Sequence, residues 1–333
     1  MSAPEPVPNP EYEKATHGIW FFGSTEPVPV ELGGDGITPH DPYGKIEIGP
    51  PAGWKLVSVD QAGAEALIVA YLCRPGAYRE LFTEGVKPHI YVALHIFLDK
   101  FRADNSPTRY WLTKPGVLKT YPEWPALSKA IASSPFEYDL GKKTGHASNY
   151  RMRENTFREQ ALKESGGTLN LSMEQAAHFL NTYKVIFPEI VEWQSEIEDT
   201  VNSTRQLRNL LGFPRQFNQL ITDAYVREAI SWVPQSTVGC ITHVAYKLLT
   251  DHIRRERLRW RPFNNKHDSY AALVPDDQVR EAATVMTQFI NQRLIGRDGV
   301  EFTMASEIQV GQNMGKFNKK TGENPHGLRD YKL

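Results

Sequence analysis

The chain contains 333 residues, of which 40% are hydrophobic and 23% are charged, and its formal net charge is −1. These values are typical of an ordinary globular protein, and no apolar run approaches the roughly 18 residues of a membrane span. The two cysteines form no Cys-x-x-Cys motif, which argues against a disulfide framework or a cysteine metal site. Residues 1–10 contain four prolines and no apolar core, so we expect no signal peptide and a cytoplasmic protein that is not secreted.

Hydrophobic periodicity predicts the secondary structure. Residues 1–50 are rich in proline and glycine and suggest an irregular N-terminal arm. The chain then alternates over 54–60, which predicts a strand, and a helix is expected over 62–73. Further elements follow in chain order: helices over 88–101 and 140–164, a helix that opens at Ser172 with Gln175 at the capping-box position, a helix to about 203, a strand pair over 210–217, a helical stretch over 223–259 in one or two pieces, a strand–turn–strand over 263–275, a helix over 275–294 and a strand over 302–310.

This pattern predicts an α+β fold in which helices outnumber strands. The strands over 54–60, 263–274 and 302–310 are expected to form one small antiparallel sheet. Such a sheet would present Asp60, at the end of the first strand, and Asp268, at the turn of the hairpin, along one edge. Hard Mg²⁺ ions bind carboxylate oxygens together with substrate phosphates, so this pair fits two-metal phosphoryl transfer.

Two basic stretches interrupt a chain that is otherwise close to neutral. Residues 142–158 contain five lysines and arginines against one acid, and residues 251–266 contain six against two. Such local charge indicates an anionic partner, although two solvated helix faces would give the same pattern.

The motifs resemble, in the right order, those of family A DNA polymerases, the DNA polymerase I type, and especially its phage-like members. Six blocks carry the resemblance: residues 51–60 with Glu65, residues 85–89 with His89, residues 142–150, Arg227 with Gln235, His267-Asp268, and residues 307–313. The resemblance covers about residues 14–315.

Five positions depart from the family pattern. Ser269 stands where the family has Glu, and Lys87 replaces an Asp. The aromatic residue of the fingers helix is His146, its Arg falls at Tyr138, and the Gly after the fingers Tyr is Arg151.

The resemblance implies a division into polymerase subdomains. It places an irregular arm at 1–50, a first palm segment at 51–95, fingers at 96–205, a second palm segment at 206–315 and a polar basic tail at 316–333. The palm would be the small antiparallel sheet with the two Asp residues, and the fingers would be mostly helical. Only 59 residues precede Asp60, so we expect the thumb and exonuclease domain to be absent from this chain and supplied, at least for the thumb, by a partner chain.

The resemblance also implies roles for individual residues. Asp60 and Asp268, with the Gln61 carbonyl, would bind two Mg²⁺ ions, for which Mn²⁺ can substitute, and Lys142 would assist catalysis. The expected dNTP-binding residues are Glu65, His89, Lys142, His146 and Tyr150. The expected DNA-binding residues are Arg215, Arg227, Gln235 and His267. On an ideal helix Lys142, His146 and Tyr150 share one face, and Lys143 points about 100° away.

The sequence therefore predicts a template-directed DNA polymerase, a nucleotidyltransferase with primer-template DNA and dNTP as partners and no membrane association. A split or reduced family A enzyme of a bacterial or phage-infected cell fits best. A catalytically weak DNA-binding accessory subunit is the main alternative. A hydrolase using His267-Asp268 is a weaker one, because no nucleophile motif accompanies these residues.

Overall fold

The structure is a computed structural model that describes residues 50–101 and 110–333, together with the backbone of two short strands near the N-terminus. The predicted N-terminal arm, 1–50, otherwise lies outside the described residues. The helices are α1 Ala64–Leu72, α2 Ala77–Thr83, α3 Pro88–Ile96, α4 Leu98–Phe101, α5 Pro115–Leu118, α6 Trp124–Ala132, α7 Pro135–Asn149, α8 Glu154–Glu164, α9 Met173–Ile186, α10 Pro188–Thr204, α11 Asp223–Arg255 and α12 Val279–Ile290. The strands are β1 Gly18–Ile19, β2 Val28–Pro29, β3 Trp54–Gln61, β4 Gln206–Arg208, β5 Pro214–Gln216, β6 Arg261–Lys266, β7 Ser269–Pro275, β8 Arg293–Ile295, β9 Glu301–Thr303, β10 Ser306–Gly311 and β11 Arg329–Asp330.

The chain divides into two compact units. The sheet unit contains the described residues up to Ala62, together with Ile241–Gln292 and Ala305–Leu333. The helical unit contains Gly63–Cys240 and Arg293–Met304. The predicted subdomain boundaries stay a prediction.

The sheet unit is built on a five-stranded antiparallel sheet with strand order β11-β10-β3-β7-β6. The central strand β3 is buried on both faces, as the burial of Leu56, Val57 and Val59 indicates. Helix α12 covers one face, where the hydroxyl of Tyr270 donates to the Met286 carbonyl. The α+β fold with a small antiparallel sheet is therefore confirmed.

The helical unit contains a core where α10, α11 and the β4–β5 hairpin meet. Its buried side chains are Val201, Leu207, Phe217, Tyr225, Ala229 and Val233. Proline is the first residue of α3, α7 and α10. A backbone N–H at this position has no partner within the helix, so its absence costs no hydrogen bond. The Ser172–Gln175 capping box of α9 forms as the sequence predicted.

Several predicted elements have different boundaries in the structure, and the strand pair expected over 210–217 consists of β4 and β5 on either side of the turn at 209–213. The helix expected over 140–164 is two helices, α7 and α8, because Arg151 adopts a left-handed conformation with φ 55° and the amide of Met152 bonds back to the Ala147 carbonyl at 2.9 Å. Helix α11 runs unbroken through Pro234 and ends at Arg255. The strand expected over 302–310 divides at Met304-Ala305 into β9, which pairs with β8, and β10, which joins the main sheet.

The C-terminal segment 316–333, expected from sequence to be a polar basic tail, adds a strand to the sheet. Strand β11 pairs with β10, and Leu328 is buried beside Leu56 and Leu273. Among the described residues, no helix has the length and hydropathy of a membrane span.

Candidate active site

Strand pairing brings the two predicted carboxylates together in the sheet unit. Asp60 lies near the end of β3, where its neighbours are Glu307 on β10 and Ser269 on β7. Asp268 occupies the two-residue turn between β6 and β7, and the Gln61 amide donates to the Asp268 carbonyl at 3.0 Å. Asp60 and Asp268, which are far apart in sequence, therefore lie together where β3 ends and where β6 turns into β7, as predicted. We call this end of the sheet the carboxylate edge.

The electrostatics of this edge favour a bound cation. Burial, followed by the negative charge of Asp268, raises the pKa of Asp60 from 3.8 to about 6. Glu307 raises the pKa further, whereas Lys316 and a hydrogen bond from the Gln61 backbone lower it. Two carboxylates that repel each other would gain charge neutralisation from a divalent ion between them.

The donor set fits Mg²⁺ in chemistry, because it consists of hard carboxylate oxygens. The described residues contain no group of three or more His, Cys, Asp or Glu that could hold a metal ion by themselves. Such an incomplete set suits Mg²⁺, which keeps water and substrate phosphate among its ligands.

Gln61 is fixed by its side chain rather than exposed to solvent. It is 3% exposed, and its Nε2 donates to the Thr242 hydroxyl at 2.6 Å. This bond ties the end of β3 to α11, and the role of the Gln61 carbonyl as a metal ligand stays a prediction.

In the helical unit, Lys142 lies in a cleft between α7 and α8 with a volume of about 390 Å³. The cleft residues from α7 are Asp139, Lys142, Lys143, His146 and Ala147. Lys143 therefore lines the same cleft as Lys142, although neighbouring side chains leave a helix about 100° apart, and the prediction that Lys142 rather than Lys143 faces the nucleotide stays a prediction. The two lysines differ in their partners, however, because Lys143 bonds to Glu164 of α8, whereas Lys142 has no hydrogen bond or ion pair in the described residues.

Three of the predicted nucleotide-binding residues touch one another. The Tyr150 hydroxyl donates to the Glu65 carboxylate, and the ring of His146 packs edge-on against Tyr150 with centroids 5.1 Å apart. Burial and the Glu65 charge raise the pKa of Tyr150 far above its usual value, so the phenol stays protonated as a donor. Tyr150 is only 8% exposed and follows the last residue of α7, so it presents only a small surface to solvent.

Buried hydrogen bonds hold the end of α7 in place. Asn149 accepts from the Tyr183 hydroxyl at 2.6 Å and donates to the Tyr78 hydroxyl at 2.8 Å. Gln194 donates to the carbonyls of Ser148 and Asn149 at 2.7 and 3.0 Å. These contacts fix the position of Tyr150, and the sequence pattern gave no signal for them.

His89 lies apart from this contact group. It is half-buried against Tyr138, with ring centroids 4.4 Å apart, and its Nε2 has no hydrogen-bond partner in the described residues. Burial, followed by the charges of Lys87 and Lys142, lowers the pKa of His89 to about 4. The ring is therefore neutral at pH 7, and any phosphate contact would be a neutral hydrogen bond rather than an ion pair.

Three of the predicted DNA-binding residues lie in the helical unit and one lies in the sheet unit. Arg227 and Gln235 lie on α11, where Arg227 pairs with Asp223. Arg215 lies on β5, where it pairs with Glu228 and stacks over Phe217 at 4.8 Å. His267 is exposed in the turn next to Asp268 in the sheet unit.

Lys316 is a residue of the site that the sequence did not reveal. Its charge lowers the pKa of Asp60, and it is placed by the C-terminal segment, where Leu328 donates to the Gly315 carbonyl. No local motif marks this lysine, because its proximity to Asp60 depends on pairing between distant segments.

Comparison with solved structures identifies the fold. The chain is similar to the POL domain of Pol1 from M. smegmatis, solved in complex with DNA primer-template and dNTP, with a TM-score of 0.55 and 18% sequence identity. The similarity covers 80% of this chain and 41% of that one, so this chain spans less than half of the neighbour's length. No family model and no curated protein matches the sequence. The chain thus has the fold of a DNA polymerase domain.

Proposed function

We propose that this chain is a template-directed DNA polymerase of the family A type, which adds deoxynucleotides to a primer 3′-hydroxyl. The observation that carries the proposal is the position of Asp60 and Asp268 at one edge of the antiparallel sheet of a polymerase-like fold. The raised pKa of Asp60 supports it, since an uncompensated carboxylate pair is what a divalent ion would neutralise.

The residues would share the work of phosphoryl transfer, which needs positioning and charge neutralisation more than covalent chemistry. Asp60, Asp268 and the Gln61 carbonyl would hold two Mg²⁺ ions, with Mn²⁺ as a substitute. Bound Mg²⁺ supplies activation of the 3′-hydroxyl and neutralisation of the triphosphate charge. Lys142 would add positive charge to the triphosphate and donate a proton to the leaving pyrophosphate.

The helical unit would also select the nucleotide. Glu65, held by Tyr150, would oppose a 2′-hydroxyl, the group that distinguishes RNA from DNA. His146, whose ring is exposed, would stack against the incoming base. His89 would complete the nucleotide contacts as a neutral hydrogen-bond partner.

Primer-template DNA would contact Arg215, Arg227, Gln235 and His267. Arg215 and Arg227 would have to exchange Glu228 and Asp223 for phosphate or base edges when DNA binds. We further propose a partner chain that supplies a thumb and can also carry an exonuclease, an interpretation that rests on the resemblance alone.

A test of the function is primer extension by the purified chain with Mg²⁺ or Mn²⁺, compared with a chain carrying both Asp60→Asn and Asp268→Asn. Template-directed extension that only the unmodified chain performs is expected. Extension by the double variant would contradict the metal assignment, and extension independent of the template would contradict the function.

A catalytically weak DNA-binding accessory subunit is the second candidate. The observation that favours it is Ser269, which stands beside Asp60 in the sheet where the family has a third acid. This candidate predicts primer-template binding with no incorporation in either metal.

A further inference from the structure

The proposed function leaves the basic stretch 251–266 unused, and each of its arginines is exposed. After α11 ends, Arg257, Arg259 and Arg261 are exposed, whereas Leu258 between them is half-buried and Trp260 is 2% exposed. Over 258–261 this alternation is the pattern of an extended segment with one face inward and one face outward. We call Arg254, Arg257, Arg259 and Arg261 the arginine ridge.

The segment that carries the ridge is anchored. The indole of Trp260 donates to the Gln278 side chain at 2.7 Å, and the Leu258 amide donates to the Ile253 carbonyl at 3.0 Å. Arg257 adopts a left-handed conformation with φ 52°, which is uncommon for a residue other than glycine. Because the backbone is fixed, the guanidinium groups need not lose backbone freedom when they bind a ligand.

The members of the ridge form no close ion pair within the described residues, although Arg254 contributes to the lowered pKa of Asp251. No member lies within 4.0 Å of a carboxylate in the described residues, and the nearby acids Asp251 and Glu256 are paired with Lys247 and Arg255. Arg261 contacts the ring of Trp54 instead, at 5.2 Å. Four unpaired arginines are unusual in a chain whose net charge is −1.

The other basic stretch, 142–158, shows the opposite arrangement. Its cations have internal partners: Lys143 pairs with Glu164, Arg151 with Glu198, Arg153 with Asp223, and Arg158 donates to the Leu171 carbonyl, with Lys142 as the exception. The two stretches look alike in sequence, but within the described residues four of the five arginines in 254–261 form no ion pair with a carboxylate, whereas three of the five cations in 142–158 do.

The ridge is separate from the carboxylate pair. Arg261 begins the edge strand β6, whereas Asp268 follows its far end, so the length of the strand alone separates them by about 16 Å. Contacts at the ridge would therefore not involve the metal-binding edge directly.

We propose that the arginine ridge binds the sugar–phosphate backbone of duplex DNA without sequence preference. Guanidinium groups match phosphate oxygens in geometry, and a row of unpaired ones suits a polymer whose charges repeat along its length. A membrane surface is disfavoured, because the apolar residues between the arginines point inward and offer no anchor. The choice of DNA as the polyanion rests on the proposed function.

The test measures the affinity of the whole chain for a short fluorescein-labelled duplex by anisotropy, without nucleotide and in EDTA, between roughly 50 and 200 mM salt. The variant combines Arg257→Gln, Arg259→Gln and Arg261→Gln. The matched control removes three exposed, unpaired lysines elsewhere, with Lys114→Gln, Lys129→Gln and Lys163→Gln. A third variant replaces the same three arginines by lysine and keeps the charge.

The arginine-to-glutamine variant should bind at least about tenfold more weakly, and the slope of log affinity against log salt should flatten by roughly 2 to 3, since each phosphate contact contributes about 0.9. The lysine-to-glutamine control should change the slope by less than half as much, and the arginine-to-lysine variant should keep the slope. If the triple variant unfolds, Arg259→Gln alone should flatten the slope by about 0.9.

Equal slopes for the arginine variant and the control would overturn the proposal. Arginine-dependent binding to polyglutamate or to phosphatidylserine vesicles, with DNA binding unchanged, would also overturn it in favour of another partner. Primer extension measured in parallel separates the two proposals. If the chain incorporates no nucleotide but shows the arginine-dependent slope, DNA binding by the ridge is supported and the proposed polymerase function is refuted.

Discussion

The carboxylate edge of the sheet unit and helix α7 of the helical unit hold charges of opposite sign that are only partly compensated within the described residues. At the edge, burial and Asp268 raise the pKa of Asp60, so negative charges have been brought together at a cost to the fold. On α7, Lys143 is neutralised by Glu164, and Lys142, one residue earlier, is left free. The difference teaches that residue type alone does not mark a site. A charged side chain becomes a candidate site residue when the charges of its neighbours are paired and its own charge is not.

The largest expected effect comes from breaking the carboxylate edge. Asp60→Asn or Asp268→Asn should each lower nucleotide incorporation by roughly 10³-fold or more, since metal ions supply several kcal/mol of charge stabilisation. The chain should still fold, and Asp60→Asn should unfold at no lower temperature, because the substitution removes a repelled charge. Single-nucleotide incorporation and thermal unfolding measure the two effects.

Asp277→Asn is the matched control, because Asp277 is an exposed acid of the same unit. It should leave incorporation unchanged. Near-normal incorporation by a folded Asp60 or Asp268 variant would refute the metal assignment.

The second largest effect is expected when Lys142, which has no ion pair in the described residues, is replaced by alanine and compared with Lys143→Ala. Lys142→Ala should lower the maximal incorporation rate by roughly 10²-fold, the scale of a lost general acid. Lys143→Ala should have a much smaller effect, because Glu164 already neutralises this lysine. Rapid-quench incorporation at saturating dNTP measures both rates, and a larger loss from Lys143→Ala would show that the role belongs to Lys143 instead.

The third effect is a pH dependence at the carboxylate edge. The folded chain holds a proton on Asp60 up to about pH 6, whereas the ordinary pKa is 3.8. Between these values the folded state binds more protons than the unfolded state, so the free energy of unfolding should fall as the pH rises. Mg²⁺ needs the ionised carboxylate, so its affinity should instead rise, by about tenfold per pH unit, up to about pH 6.

Calorimetric Mg²⁺ titrations at roughly pH 5 and pH 7 test this linkage, with Asp60→Asn as the control that should lose it. A Mg²⁺ affinity that does not change with pH would show that Asp60 is already ionised at low pH, and the contrast with α7 would disappear.

The sequence predicted those features of this molecule that depend on local signals. The strand–turn–strand around His267-Asp268 was predicted over 263–275, although its first strand is unusually polar, and the α9 cap followed from Ser172 and Gln175. The break after Tyr150 was missed because Arg151 takes a left-handed conformation that usually belongs to glycine.

Features that depend on distant contacts were beyond the sequence pattern. Ideal helix geometry places Lys143 about 100° from Lys142, and only the packing of α8 shows that both lysines line one cleft. Lys316 reaches the neighbourhood of Asp60 only because the C-terminal segment folds back on the sheet. A single sequence without this pairing gives no reason to select it.

The smallest expected effect concerns the hydrogen bond between Tyr150 and Glu65. Removing it tests whether this contact inside the helical unit affects the choice between dNTP and rNTP. Glu65→Ala should raise the ratio of rNTP to dNTP incorporation, because it removes the group proposed to oppose the 2′-hydroxyl. Tyr150→Phe keeps Glu65 but removes its donor, so Glu65 should lose orientation rather than charge. A net hydrogen bond contributes roughly 0.5–1.5 kcal/mol, which corresponds to a change of about threefold to tenfold in the ratio.

The two substitutions should not add, because both act on one contact. Competition between rNTP and dNTP in single-nucleotide incorporation by each single variant and the double variant measures this coupling. Thr83→Ala, an exposed position of the same unit, is the control and should leave the ratio unchanged. If Glu65→Ala leaves the ratio unaltered while Tyr150→Phe lowers thermal stability, the bond is only structural. In that case the free charge of Lys142 is the feature of the helical unit that bears on nucleotide chemistry.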